Sequence, residues 1–228
     1  NTEKGSAKRL LTAANPLEGF AIGTPELLTL KADDGTTLYA KMHKPQNFNP
    51  QKKYPVLIYV YGGPHAQEVK NSWGVGSYLW LSAFAQNDQY IVFTLDNRGS
   101  ENRGFAFESV IHRHLGDYEI KDQLAGVAYL KSLPYVDANR IAVHGWSFGG
   151  FMASSLLTRH PEVFRTAVAG GAVTDWKYYE VMYGERYMDN PQTNPEGYEN
   201  WRQEIEALIA QAKYTAALNV NAELLVLS

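Results

Sequence analysis

The stretch Arg140-Ile-Ala-Val-His-Gly-Trp-Ser-Phe-Gly-Gly-Phe-Met-Ala-Ser155 constrains this chain more than any other. Ile141 to His144 reads as a buried strand, and a helix is expected from about Phe148 onward. Between them stands Gly145-Trp146-Ser147-Phe148-Gly149, a G-x-S-x-G pattern in the strand-turn-helix setting that gives it chemical meaning. A serine wedged there is forced into a sharp, strained turn that pushes its hydroxyl into the open. Gly145 and Gly149 are expected because a Cβ at either place would meet neighbouring backbone, and Gly150 crowds the same corner. The helix N-terminus behind the serine offers free N–H groups and partial positive charge to a developing anion. Ser147 therefore reads as a nucleophile. A Gly-rich turn that merely ends a strand is the bland alternative, and it leaves the serine unexplained.

The remaining chain fits an ordinary α/β domain. Its 228 residues are 45% apolar and 20% charged, the balance of a globular protein. A formal net charge of −3, with no dense Lys/Arg block, gives no footprint for nucleic acid. No apolar run approaches the roughly 20 residues that span a bilayer. With no cysteine, disulfides, thiolate chemistry and Cys-ligated metals are excluded. Nothing in the pattern calls for a cofactor or a metal. The opening Asn1-Thr-Glu-Lys has neither initiator Met nor signal peptide, so it reads as processed, trimmed or a fragment.

Residues 1–25 are polar and look like an arm, with a single domain expected over 26–228. Alternation around Asp34-Gly35, from Glu26 to Met42, predicts a hairpin. Lys53 to Tyr61 is a continuous β-branched run, hence a buried central strand, ending in the Gly62-Gly63-Pro64-His65 turn. A helix is expected over 78–87, a strand over 90–96, a polar loop over 97–104 and a helix over 117–133. After the elbow helix, which His160-Pro161 should stop, come a short strand from Arg165, an aromatic helical stretch from Asp175 to Tyr187 and a loop over 190–197. A helix from Tyr198 to about Tyr214 and a last strand over 222–228 complete the series. Such alternation predicts a mostly parallel, doubly wound sheet entered by an antiparallel hairpin.

Four motifs then occur in one order: Tyr59-Val-Tyr-Gly-Gly-Pro-His, Asp96-Asn-Arg-Gly-Ser, His144-Gly-Trp-Ser-Phe-Gly-Gly, and Val173-Thr-Asp-Trp-Lys-Tyr-Tyr with Tyr183-Gly-Glu-Arg-Tyr-Met. From about residue 25 to Tyr198 the chain resembles the α/β-hydrolase domain of the prolyl oligopeptidase family, within it the dipeptidyl peptidase IV branch. The resemblance implies a serine peptidase that releases dipeptides from N-termini after proline or alanine, through an acyl-enzyme on Ser147. It implies the Phe148 backbone N–H and the Tyr61 hydroxyl as oxyanion donors. Tyr61 also ends a central strand, where sites of open α/β sheets lie. Val173, Trp176, Tyr179 and Tyr183 match the pocket for the proline ring. Trp176, Tyr179 and Tyr183 would share one helix face, a pattern that is more often core packing. Glu185 and Arg186 are expected to pair, Arg98 to fix the loop near the site, and His65 to be a loop histidine. By the same resemblance the full-length protein would be a homodimer in the periplasm, secreted or membrane-anchored.

One part of the pattern is unmet. The family's triad order is Ser, Asp, His, and the base must reach the serine hydroxyl. His160 is the only histidine after Ser147, and thirteen helical positions put it roughly 20 Å away. His43, His65, His112, His114 and His144 precede the serine. The expected fold is thus an α/β hydrolase incomplete at its C-terminus, without the triad Asp and His and without the β-propeller whose acidic residues hold the substrate's amino group. Three readings stay open: a dipeptidyl peptidase domain whose isolated chain is inactive, a related acylaminoacyl peptidase or esterase, and a non-catalytic remnant that only binds.

Overall fold

The alternating run around Asp34-Gly35 folds back on itself: β1 (Glu26–Lys31) pairs antiparallel with β2 (Thr37–His43), Lys31 opposite Thr37. The Asp34 carboxylate accepts from the Thr36 N–H at 2.8 Å, and Gly35 takes φ +86° in open space. The computed structural model describes residues 9–20, 22–72, 79–87, 89–199, 203 and 206, and the backbone of 223–227.

Five further strands join the hairpin: β3 (Tyr54–Tyr59), β4 (Ile91–Asp96), β5 (Val136–Trp146), β6 (Thr166–Gly170) and β7 (Glu223–Leu227). The sheet order is β1-β2-β4-β3-β5-β6-β7. β2 runs antiparallel to β4, and the pairs from β4 to β7 are parallel. β4 is buried along its whole length and β3 nearly so, as strands covered on both faces must be. From β3 the chain steps to β4 on one side and then crosses to β5 on the other. The sheet therefore has its topological switch at β3 and β5, and crevices open at the carboxyl ends of strands at such a point.

Helices cover both faces. α1 (Leu79–Asn87) packs Leu81 and Ala85 against Leu57, Tyr59 and Val92. On the other face α3 (Asp117–Ser132) and α4 (Phe148–Arg159) bury Ile120, Val127, Phe151, Met152 and Leu156 against Val56, Ile58 and Val143. No helix among the described residues is long and apolar enough to cross a membrane.

The structure departs from the sequence reading in four places. The polar loop after β4 leads into a short helix, α2 (Phe105–Ser109). β5 begins at Val136, well before Ile141, and pairs Val136 with Tyr54 across a register shift. The aromatic stretch is a 3-10 turn (Trp176–Tyr178) and a separate α5 (Val181–Met188). Asp175 accepts from the Lys177 N–H and Glu180 from the Met182 N–H, so two N-terminal caps split what spacing alone read as one helix. Residues 195–199 are already helical, with Pro195 at the first position and the Asn194 side chain accepting from the Gly197 N–H at 3.3 Å. Most of the helix expected over 198–214 lies outside the described residues.

Candidate active site

Ser147 stands between β5 and α4 with φ +59° and ψ −117°. A side chain other than glycine at positive φ is strained. Two hydrogen bonds hold it there: the Ser147 N–H donates to Gly170 O at 2.8 Å, and Ser147 O accepts from Phe151 N at 3.1 Å. A Cβ on Gly145 would lie 2.5 Å from Val60 O as well as against the backbone of Gly149, and one on Gly149 would meet Val60 O. On Gly150 it would lie 2.5 Å from Gly170 O. β3, β5 and β6 thus close on the elbow so tightly that only backbone fits.

The turn that follows β3 lies beside it. Tyr59 is level with His144, and Val60 N donates to His144 O at 2.9 Å. Tyr61 comes next, and its ring sits 6.3 Å from that of Phe148. Gly62 follows at φ +74°, and a Cβ on Gly63 would come within 2.9 Å of both rings. Phe148 is the first residue of α4, so its N–H has no acceptor within the helix. The Tyr61 ring and the first N–H of α4 therefore lie beside the corner that carries Ser147.

The rings of 176–187 gather although their helix is broken. Trp176 stacks on Tyr183 at 6.0 Å and 6°, while Tyr179 meets both edge-on at 5.9 and 5.4 Å. Trp176 is only 2% exposed and packs on Phe148 and Phe151 at 5.6 and 5.2 Å. It is a core residue. Val173 is buried beside this cluster, and Tyr179, at 39% exposure, faces outward. Burial, and then the neighbouring Tyr61, Tyr187 and Tyr179 hydroxyls, push the Tyr183 hydroxyl well above the usual phenol range. Trp176 Nε1 and Tyr183 Oη are buried without a hydrogen-bond partner.

The sequence reading missed a recess. Tyr59, Tyr61, Trp80, His144 and Trp146 line a cavity of about 300 Å³. Trp146 is 53% exposed and its ring lies across Gly170, where any Cβ would strike it. Strand alternation carries the signal for this: Trp146 and His144 share a face of β5 opposite Val143 and Gly145.

None of the six histidines hydrogen-bonds Ser147 among the described residues. His43 Nδ1 meets Ser82 at 3.2 Å, His144 Nδ1 meets Val168 O at 3.0 Å and His160 meets Glu162 at 3.3 Å. His112 lies 3.3 Å from Asp189, and His114 lines a crevice with Arg113 and Arg159. His65, at φ +56°, receives the Arg186 guanidinium at 3.3 Å. That corrects the expected Glu185–Arg186 pair. Neighbours in a helix point a third of a turn apart, and the imidazole lies on Arg186's side.

Behind the site, Arg98 makes a two-pronged bond to Asp122 at 2.7–3.1 Å and also reaches Asp33 and Asp34. The loop after β4 is thereby tied to α3 and to the hairpin. Glu119 is fully buried, and burial pushes its carboxyl up to about 8 despite the N–H donors of its own residue and Gly116.

Residues 77–224 match the family model described as the prolyl oligopeptidase family. The chain belongs to the prolyl oligopeptidase family. Within it, the chain is 39% identical to human dipeptidyl peptidase 8 over 190 residues, which are 83% of this chain and 21% of that protein. A crystal structure of a Bacteroides ovatus protein assigned as a dipeptidyl aminopeptidase IV superposes with a TM-score of 0.84 at 47% identity, over 95% of this chain and 34% of that one. Porphyromonas gingivalis dipeptidyl peptidase 4 gives 0.77 at 28% identity, over 89% and 31%. The chain thus spans about a fifth of the curated relative and a third of the solved ones. The α/β-hydrolase fold read from the sequence is the fold of this family member.

Proposed function

We propose that this chain is the nucleophile-bearing part of a serine peptidase that releases N-terminal dipeptides ending in proline or alanine. The observation that carries the reading is Ser147 at φ +59° on the strand-to-helix corner, with Tyr61 and the Phe148 N–H beside it. The Ser147 hydroxyl oxygen attacks the substrate carbonyl carbon while a base takes its proton. The Tyr61 hydroxyl and the Phe148 N–H donate to the oxyanion. The tetrahedral intermediate then expels the amine, which takes up a proton, and water hydrolyses the acyl-enzyme. Val173, Tyr179 and Tyr183, backed by Trp176, accept the proline ring, a reading supported by the gathering of their apolar ring faces. No histidine hydrogen-bonds Ser147 among the described residues, so the base is expected from outside them, and the isolated chain is expected to turn over poorly.

Hydrolysis of Gly-Pro-, Gly-Ala- and Gly-Leu-p-nitroanilide by the protein at its full natural length tests this. Cleavage of the first two, lost in Ser147→Ala, is expected. Cleavage of simple esters alone would instead favour a related esterase.

A further inference from the structure

The turn that carries Tyr61 is held by one side chain that no part of the reaction uses. Asn97, the first residue after β4, is fully buried. Its amide nitrogen donates to Gly62 O at 2.9 Å and to Arg98 O at 2.7 Å. Its amide oxygen accepts from Gln123 Nε2 on α3 at 3.0 Å, and that nitrogen also donates to Leu95 O at 3.0 Å. This assignment of nitrogen and oxygen is the one the neighbours require: two carbonyls need a donor, and the Gln123 amide nitrogen needs an acceptor. Gly62 has little freedom of its own, since a Cβ there would lie 3.0 Å from Asn97 Oδ1 and 3.3 Å from Met152. Gly62, the residue next to Tyr61, is therefore held at its carbonyl by Asn97 and bounded on the other side by Met152 of α4.

We propose that Asn97, oriented by Gln123, is a positioning residue for the Tyr61 hydroxyl, holding the Gly62 carbonyl so that the phenol stays aimed at the space over Ser147. The proposal rests on the reading of Tyr61 as an oxyanion donor. A donor is effective only if it is fixed before charge develops, and a buried amide with both ends satisfied fixes it without reorganisation. Aspartate at this position keeps the shape, removes both donors and sets carboxylate oxygens against two carbonyls. The Gly62 peptide would then turn away and take the Tyr61 ring with it. Arg98 and Asp122 hold the same loop to α3, so the loop itself stays in place when the amide is changed.

The test is a cycle of Tyr61→Phe, Asn97→Asp and the double variant, with kcat and KM for Gly-Pro-p-nitroanilide measured on the full-length protein. Tyr61→Phe alone reads the underlying assignment and is expected to lower kcat on the order of 100-fold. Asn97→Asp is expected to lower kcat about 10-fold or more with KM within about twofold, because the lost interaction exists only in the transition state. Placed on Tyr61→Phe, it is expected to cost less than about threefold. An equal loss in both backgrounds would overturn the proposal and leave Asn97 as support for the fold. An unchanged kcat in Tyr61→Phe would overturn the reading of Tyr61 and the proposal with it. If Asn97→Asp does not fold, Gln123→Met replaces it: a kcat loss confined to the Tyr61 background supports the proposal, and an equal loss in both contradicts it.

Discussion

The N–H of Ser147 donates to the carbonyl of Gly170 at 2.8 Å, joining the corner after β5 to the end of β6. This bond, with the glycines around it, holds a serine at φ +59°. The strain is carried by backbone packed on backbone, which cannot yield as a side chain can.

The glycines of the corner should therefore differ sharply from a glycine that only serves a turn. A Cβ on Gly145 meets Val60 O at 2.5 Å, whereas one on Gly35, at φ +86°, meets nothing within 4 Å. Gly35→Ala is expected to cost about 1–2 kcal/mol. Gly145→Ala should cost more than about 4 kcal/mol or prevent folding. Urea unfolding of both variants checks this, and similar losses would mean the corner has room to relax.

Tyr183 offers a test in which removing a polar atom does no harm. Its hydroxyl is buried without a partner. Tyr183→Phe is thus expected to leave stability unchanged or to raise it by up to about 1 kcal/mol. Trp176→Ala, which removes a buried ring packed on both Phe148 and Phe151, should lose about 3–5 kcal/mol. A loss above about 1 kcal/mol in Tyr183→Phe would show that the hydroxyl has a bonded neighbour.

The Arg98 cluster separates buried from exposed charge. Asp122 is fully buried against Arg98, while Asp33 is largely exposed. Asp122→Asn should lose about 3–5 kcal/mol, since it leaves a buried guanidinium short of its main partner. Asp33→Asn should lose less than about 1 kcal/mol. Chemical denaturation of the two variants reads the difference directly.

Burial lifts the Glu119 carboxyl from 4.5 to about 8. The folded state then keeps a proton that the unfolded chain has already released. Stability should fall as pH rises from about 4.5 to about 8 and level off above. His43 acts in the opposite sense, because burial lowers it from 6.5 to about 4. Its contribution is complete above 6.5 and is lost as pH falls towards 4. The Glu119 effect is therefore cleanest between pH 6.5 and 8, with a slope approaching about 1.4 kcal/mol per pH unit. Glu119→Gln should flatten that slope in unfolding curves measured across this range, and an unaltered slope would place its source elsewhere.

The local patterns that built the sheet were legible because each was strong alone. β3 and β4 read as buried strands from unbroken apolar runs, and Asp34-Gly35 announced its hairpin. The elbow glycines spoke through sterics. What was not legible depended on competition or on distance. Asp175 and Glu180 each capped a turn and broke a helix that apolar spacing favoured. The recess around Trp80 and Trp146 draws on three elements, and no single window contains it. Asn97 looked like one polar residue in a polar loop, and its partners Gly62 and Gln123 lie 35 and 26 positions away in sequence. Arg98 could be read as a loop anchor, though not which carboxylates it would find.

The most direct test of Ser147 as the nucleophile is intact mass after incubation of the full-length protein with a fluorophosphonate, beside Ser147→Ala. A single adduct on the parent and none on the variant is the predicted result. An adduct that persists in Ser147→Ala, or a folded parent that takes none, would contradict it.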